Sequence, residues 1–218
     1  MNRTMRISAA LLALCCIIML CACGREREVE PFVDPTPAVA PAEGEKPDGT
    51  RFKGVVMLEG QEEPVKLEHI ISSHAGVSLD YDYESFIRTY DDDSEYFRWA
   101  YDKESESPEI YLQITASPAS DYAMTEHLNE CVKSLGETPE NSEGDVGRFS
   151  ACDMITSREL PERNDGEEFI TVRYVIPAPD GCRVAKLRYT QETAETICRR
   201  MEQILSTLEV REIDWEAR

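Results

Sequence analysis

Positive charge is scarce in this 218-residue chain: 23 Lys and Arg stand against 43 Asp and Glu, a formal net charge of −20. No basic stripe offsets that balance, and an acidic surface repels phosphate backbones, which argues against a nucleic-acid partner. Tryptophan is rare too, with two in the chain, and the mean hydropathy is −0.43. With 41% hydrophobic residues, this composition fits one ordered domain with a medium-sized core and excludes a polytopic membrane protein or a wholly disordered chain. Catalytic signatures are missing as well. There is no G-x-S-x-G, H-E-x-x-H, C-x-x-C, phosphate-binding glycine loop or dinucleotide fingerprint. Ser72-Ser73-His74 is the one adjacent serine and histidine pair, but triads are assembled in space, not by adjacency in sequence. No catalytic residue, metal or cofactor is expected.

Long hydrophobic runs are also lacking. The longest, Ile7 to Leu20, follows Arg3 and Arg6, the positive-then-apolar order of a secretory signal. As a helix it would cover roughly 21 Å of a hydrocarbon core about 30 Å thick, too little for a comfortable span. Leu20-Cys21-Ala22-Cys23-Gly24 then resembles the lipobox of bacterial lipoproteins, although Cys21 replaces the commoner Ala, Ser or Thr. The resemblance implies that Leu20, Cys21 and Ala22 are read by the signal peptidase, that the chain is cut after Ala22, and that Cys23 carries the lipid. Two acyl chains at about 0.8 kcal/mol per buried methylene amount to roughly 20 kcal/mol, an effectively permanent mooring at the outer face of the cell membrane.

Three regions follow: a lipoprotein signal peptide (1–22), an acidic, proline-rich tether (23–50) and a single domain (51–214). Five of the twelve prolines fall between Gly24 and Thr50, and no hydrophobic period runs through that stretch. In the domain, segments 52–59 and 64–72 flank Gly60-Gln61-Glu62-Glu63 as a hairpin, and Val77 to Tyr83 reads as a third strand. Phe97, Trp99 and Tyr101 alternate, as do Ile110, Leu112 and Ile114, the pattern of half-buried strands. Met124, Leu128, Cys131, Val132 and Leu135 form a helical stripe stopped by Gly136, and a polar loop spans 137–147. A strand near 148–156 precedes a hairpin about Pro179-Asp180-Gly181. Thr190 is placed to cap a last helix striped by Ala194, Ile197, Cys198, Met201, Ile204, Leu205 and Leu208.

This order of strands, helix, long hairpin and closing helix, ending in Leu205-Ser206-Thr207-Leu208-Glu209-Val210, resembles the PsbP-like domain over about residues 55 to 212. The implied fold is α+β, an α/β/α sandwich with a central antiparallel sheet and two flanking helices. The hairpin about Gly60 to Val65 and Gly76-Val77-Ser78-Leu79-Asp80-Tyr81 are also similar to small, uncharacterised lipoproteins of clostridia-like bacteria. Members of the wider fold mostly bind proteins or stabilise complexes, so the resemblance implies a non-catalytic, lipid-anchored extracytoplasmic accessory protein with an envelope protein as partner. The alternative is a receptor for a small ligand or cation.

Two clusters bear on that alternative. Asp80, Asp82 and Glu84 alternate, with Asp91-Asp92-Asp93 close behind, an oxygen-rich pattern that suits calcium. The glycine and distal glutamate of a calcium loop are absent, so a solvated acidic face is expected instead. His127, Glu130 and Cys131 share one helix face, yet Cys131 falls on the apolar stripe and reads as a buried thiol. Cys131, Cys152, Cys182 and Cys198 allow three disulfide pairings or none. Replacing Cys23 with Ser is expected to release the protein to the medium or abolish its processing, and to end its labelling with radioactive palmitate. Continued labelling of C23S would overturn the anchor assignment.

Overall fold

The computed structural model describes residues 44–100, 110–159 and 168–216. The expected signal, the expected peptidase-recognition residues Leu20, Cys21 and Ala22, and the expected lipid acceptor Cys23 lie outside the described residues. Two antiparallel sheets and two helices make up the described part. The smaller sheet is built from β1 (Arg51–Leu58), β2 (Gln61–Ser72), β3 (Val77–Asp82) and the two-residue β11 (Glu209–Val210), in the order β1-β2-β3-β11. The larger contains β4 (Phe86–Tyr90), β5 (Ser94–Trp99), β6 (Tyr111–Ser117), β7 (Glu140–Val146), β8 (Phe149–Glu159), β9 (Phe169–Ala178) and β10 (Gly181–Thr190), in the order β4-β5-β6-β10-β9-β8-β7. The α+β class and the antiparallel sheet expected from the sequence are those of the structure. The division of the strands between two sheets was not legible, because alternation marks a strand without naming its neighbour.

The first hairpin closes more tightly than expected, in a two-residue turn of Glu59 and Gly60 with φ of 51° and 78°. Positive φ at both positions matches the twist of the flanking strands. Helix α1 (Asp121–Ser134) is capped by Ser120, whose side chain accepts from the Ala123 amide. It ends as Gly136 suggested, with the Glu137 amide donating to the Val132 carbonyl at 3.4 Å and that of Gly136 to Lys133 at 3.0 Å. Beyond it lies a correction: the supposed polar loop is β7, an edge strand reading Glu-Asn-Ser-Glu-Gly-Asp-Val with an acidic, exposed surface. Charge on an edge discourages pairing with other chains. β4, which occupies the opposite edge, was also missed.

The last helix opens with a π-helical turn, Ala194–Cys198, and continues as α2 (Arg199–Ser206). Thr190 is the final residue of β10 rather than the cap. Thr193 precedes the turn, and the Ile197 and Cys198 amides both donate to its carbonyl. The apolar stripe is as expected: Ile197, Cys198, Met201, Ile204, Leu205 and Leu208 join the main core with Ile70, Val77 and Leu79 of the small sheet and Phe97, Leu112, Ile114, Ile176, Ala185 and Leu187 of the large one. α1 covers the other face of the large sheet, packing Met124 and Leu128 against Val175, Cys182 and Val184.

Charges are sunk here too, Glu95 with Arg88 and, largest of all, Arg183. Arg183 has no solvent exposure. Its Nη2 donates to both oxygens of Asp180 at 3.0 and 2.9 Å, Nε to the Gly76 carbonyl at 3.2 Å, and Nη2 also to the Arg211 carbonyl at 2.7 Å. Gly76 sits at φ 59°, and a Cβ there would lie 2.5 Å from Nη2, so a side chain at this turn would displace the guanidinium. Burial alone would raise the Asp180 carboxyl, but the bonds from Arg183 and the Ile213 amide outweigh it and hold the group below its ordinary 3.8. A carboxylate whose folded value is depressed contributes stability above its unfolded value and loses it as the pH falls through the folded one. Asp180→Ala is therefore expected to cost about 3–5 kcal/mol in urea unfolding at neutral pH, because it strands a buried cation. The difference from wild type should shrink below pH 3.8.

Candidate functional site

The acidic ladder does not converge. Asp80 accepts from Lys46 Nζ at 3.0 Å and from His69 Nδ1 at 2.7 Å. Asp82 accepts from Arg200 Nη1 at 3.1 Å and from Ser85 Oγ, while Glu84 takes Lys66. Asp91 accepts from the Tyr96 hydroxyl at 2.9 Å. Each of these four carboxylates thus has its own donor, and among the described residues no three His, Cys, Asp or Glu side chains gather as a metal site would require. Asp80 and Asp82 depart from the expected solvated face and sit in largely buried ion pairs, whereas Glu84 and Asp91, Asp92 and Asp93 are exposed as expected.

His69 lies at the centre of one such set. A carboxylate only accepts, so Nδ1 carries a proton toward Asp80, and Nε2 lies 3.6 Å from Glu45 Oε1. Glu45 in turn accepts from Arg211 at 2.6 Å. The Gly49 amide donates to the His69 carbonyl at 2.8 Å, and the Ile71 amide to Asp48 Oδ1 at 2.8 Å. Residues 44–50, which read as the end of the tether, are therefore strapped across β2 and β3. The recess they border, about 340 Å³, is lined by Lys46, His69, Asp80, Thr207 and Glu209. A second recess of about 260 Å³ lies between the sheet and α2, lined by Asp145, Tyr174, Arg199 and Glu202.

The other sequence candidates separate. Cys131 is exposed, which corrects its reading as a buried thiol. α1 rests shallowly on the sheet, with Val132 as its one buried residue and Leu135 65% exposed. Cys131 Sγ stands 3.6 Å from His127 Nε2. Ser72 Oγ accepts from the Ala75 amide, and His74 stacks on Tyr90 with ring centroids 4.5 Å apart.

A feature the sequence reading passed over is the outer face of the large sheet. α1 packs on β8, β9 and β10, and among the described residues no helix or strand covers β4, β5 and β6 on that side. Two cross-strand rows run from there onto β10 and β9: Tyr96, Gln113, Lys186 and Arg173, then Arg98, Tyr111, Arg188 and the buried Thr171. The available signal was the set of positions between the inward-facing Phe97, Leu112 and Ile114.

Several solved structures resemble this chain, two of them as follows. Cyanobacterial PsbP (CyanoP) from Synechocystis sp. PCC 6803 is 12% identical, with a TM-score of 0.40 over 66% of this chain and 92% of that one. LpqN of Mycobacterium tuberculosis, involved in cell envelope biogenesis, is 12% identical, with a TM-score of 0.33 over 75% of this chain and 86% of that one. No family model matches the chain, and no curated protein is similar to it.

The four thiols of the domain are free. Burial, with Glu202 close by, pushes the Cys198 thiol up to about 12, and burial likewise raises Cys152 and Cys182. Thiolate is the reactive form. Iodoacetamide on the folded protein at pH 8 is therefore expected to modify Cys131, and Cys152, Cys182 and Cys198 only after unfolding, as read by peptide mass.

Proposed function

We propose that this protein is a lipid-anchored, extracytoplasmic accessory protein that is moored through Cys23 and binds another envelope protein without catalysing a reaction. The signal and lipobox pattern of residues 1–23 support the mooring. The outer face of β4, β5 and β6, which no helix or strand covers among the described residues, supports the docking role, because its polar and aromatic side chains are presented on a sheet whose opposite face is packed into the core. Tyrosine and arginine, which populate this face, are the residues that dominate protein interfaces. The recess beside Tyr174 favours a second reading, a small-ligand receptor, for which a ligand that raises the melting temperature would speak.

A photo-crosslinking amino acid at Tyr111 in intact cells is expected to capture one defined envelope protein, and the same group at Tyr122, on the exposed side of α1, is expected to capture none. Equal capture from both positions, or no adduct from either, would overturn the docking role.

A further inference from the structure

In so acidic a protein, a cation without an acid is the exception. Of the described lysines and arginines, all but Lys53, Arg98, Lys133, Arg173 and Lys186 have a carboxylate within 4.0 Å among the described residues. Arg98, Arg173 and Lys186 stand together on the outer face of the large sheet, beside Arg188, which shares Glu159.

Their partners are aromatic and polar. Arg98 lies over the Tyr96 ring at 5.5 Å, and Lys186 over the Tyr111 ring at 5.3 Å. The two rings are tilted, with centroids 6.5 Å apart. Gln113 Nε2 donates to the Tyr96 hydroxyl oxygen at 3.0 Å and to Thr115 Oγ1 at 3.1 Å, which holds the centre of the patch in one arrangement. Arg173 Nη1 donates to Ser157 at 3.2 Å. Desolvation weakens its hold on the proton, with Glu159 and Glu137 opposing from a distance, so this cation has given up water without gaining an acid. Ile87, 46% exposed, borders the patch opposite Arg98 on β4.

We infer that this face binds an acidic, extended segment of a partner protein, laid across the strands so that its carboxylates meet Arg98, Lys186 and Arg173. Strands lie about 4.8 Å apart, which puts Lys186 roughly 10 Å and Arg173 roughly 14 Å from the line of Arg98. In an extended peptide at about 3.3 Å per residue the carboxylates on one face are two and four residues apart, about 7 and 13 Å, which the long side chains of Lys186 and Arg173 can reach. The planar guanidinium forks donate paired hydrogen bonds to carboxylates, and the tyrosine rings give apolar side chains of the segment a surface. A lipid bilayer is a poorer occupant, because Ile87 is the one large apolar side chain here that projects well into solvent. This assignment rests on the docking role of the same face.

The test uses the full-length protein in a neutral detergent and a fluorescein-labelled peptide of repeated Glu-Tyr-Glu-Glu, read by anisotropy. Binding is expected, and it should weaken about tenfold or more both in high salt and in the double variant R98Q/K186Q. K53Q, on the smaller sheet, should bind as wild type does, and circular dichroism shows whether each variant is folded. Absence of binding near 1 mM peptide (~4 kcal/mol of affinity at most), or equal binding by R98Q/K186Q, overturns the proposal. So does retention of phosphatidylglycerol vesicles or polyphosphate without retention of the peptide. If Tyr111 cross-links a defined protein in cells while the peptide fails, the acidic chemistry falls and the docking role stands. If both fail, both fall.

Discussion

The guanidinium of Arg183 holds together parts of the chain that no local interaction could join. It belongs to β10 of the large sheet, yet it donates to Gly76 at the β2–β3 turn of the small sheet and to Arg211 in the segment after β11. Asp180, its counter-ion, accepts from the Ile213 amide at 2.9 Å, and the Asp180 carbonyl accepts from Trp215 Nε1 at 2.9 Å. A buried cation is tolerable only when its donors are satisfied, so the guanidinium constrains three backbone segments at once. The apolar core fills the space between the sheets but is indifferent to direction, whereas this fork of hydrogen bonds sets how the turn, the hairpin and the tail meet.

From that constraint follows the difference between the two faces of the large sheet. Inward, Phe97, Leu112, Ile114, Ile176, Ala185 and Leu187 are sealed by α2 and the smaller sheet. Outward, one short helix with a single buried residue covers only the strands nearest to it. The remaining area carries tyrosines, a glutamine and cations on strands that are rigid because their other side is core. Rigid presentation lowers the entropy lost on docking, and in the interaction proposed above the cations on one side of a strongly acidic protein would steer the approach of an acidic partner. The strap of residues 44–50, clamped through Glu45, Lys46 and His69, lies on the smaller sheet, away from the strands that carry this patch.

Periodicity recovered the elements that have one wet face and one dry face. The hairpin of Ile170 to Tyr189 and the stripe of Met201, Ile204 and Leu205 read plainly because burial selects apolar residues at every second or every third and fourth position. Edge strands escaped the same logic. β7 has one buried residue, Val146, and β4 has one, Phe86, so neither shows a period. Cys131 misled because an apolar stripe reports what could be buried, while the depth at which a helix sits depends on its partner surface. The π-helical start of the last helix has no pattern of its own, since it is set by Thr193, whose Oγ1 accepts from the Thr190 amide at 3.0 Å.

By itself the sequence determined the class of the fold, most strands and both helices, because each of these is written in neighbouring side chains. Tertiary structure alone decided the fate of the charges. Asp82 meets Arg200 across 118 positions, Asp80 meets Lys46 across 34, and Arg183 reaches Gly76 across 107. Whether a carboxylate waits for a metal, faces water or is already neutralised depends on which distant cation the fold delivers to it. So does the reverse case, in which Arg98, Arg173 and Lys186 are brought together on one face with no carboxylate within 4.0 Å among the described residues.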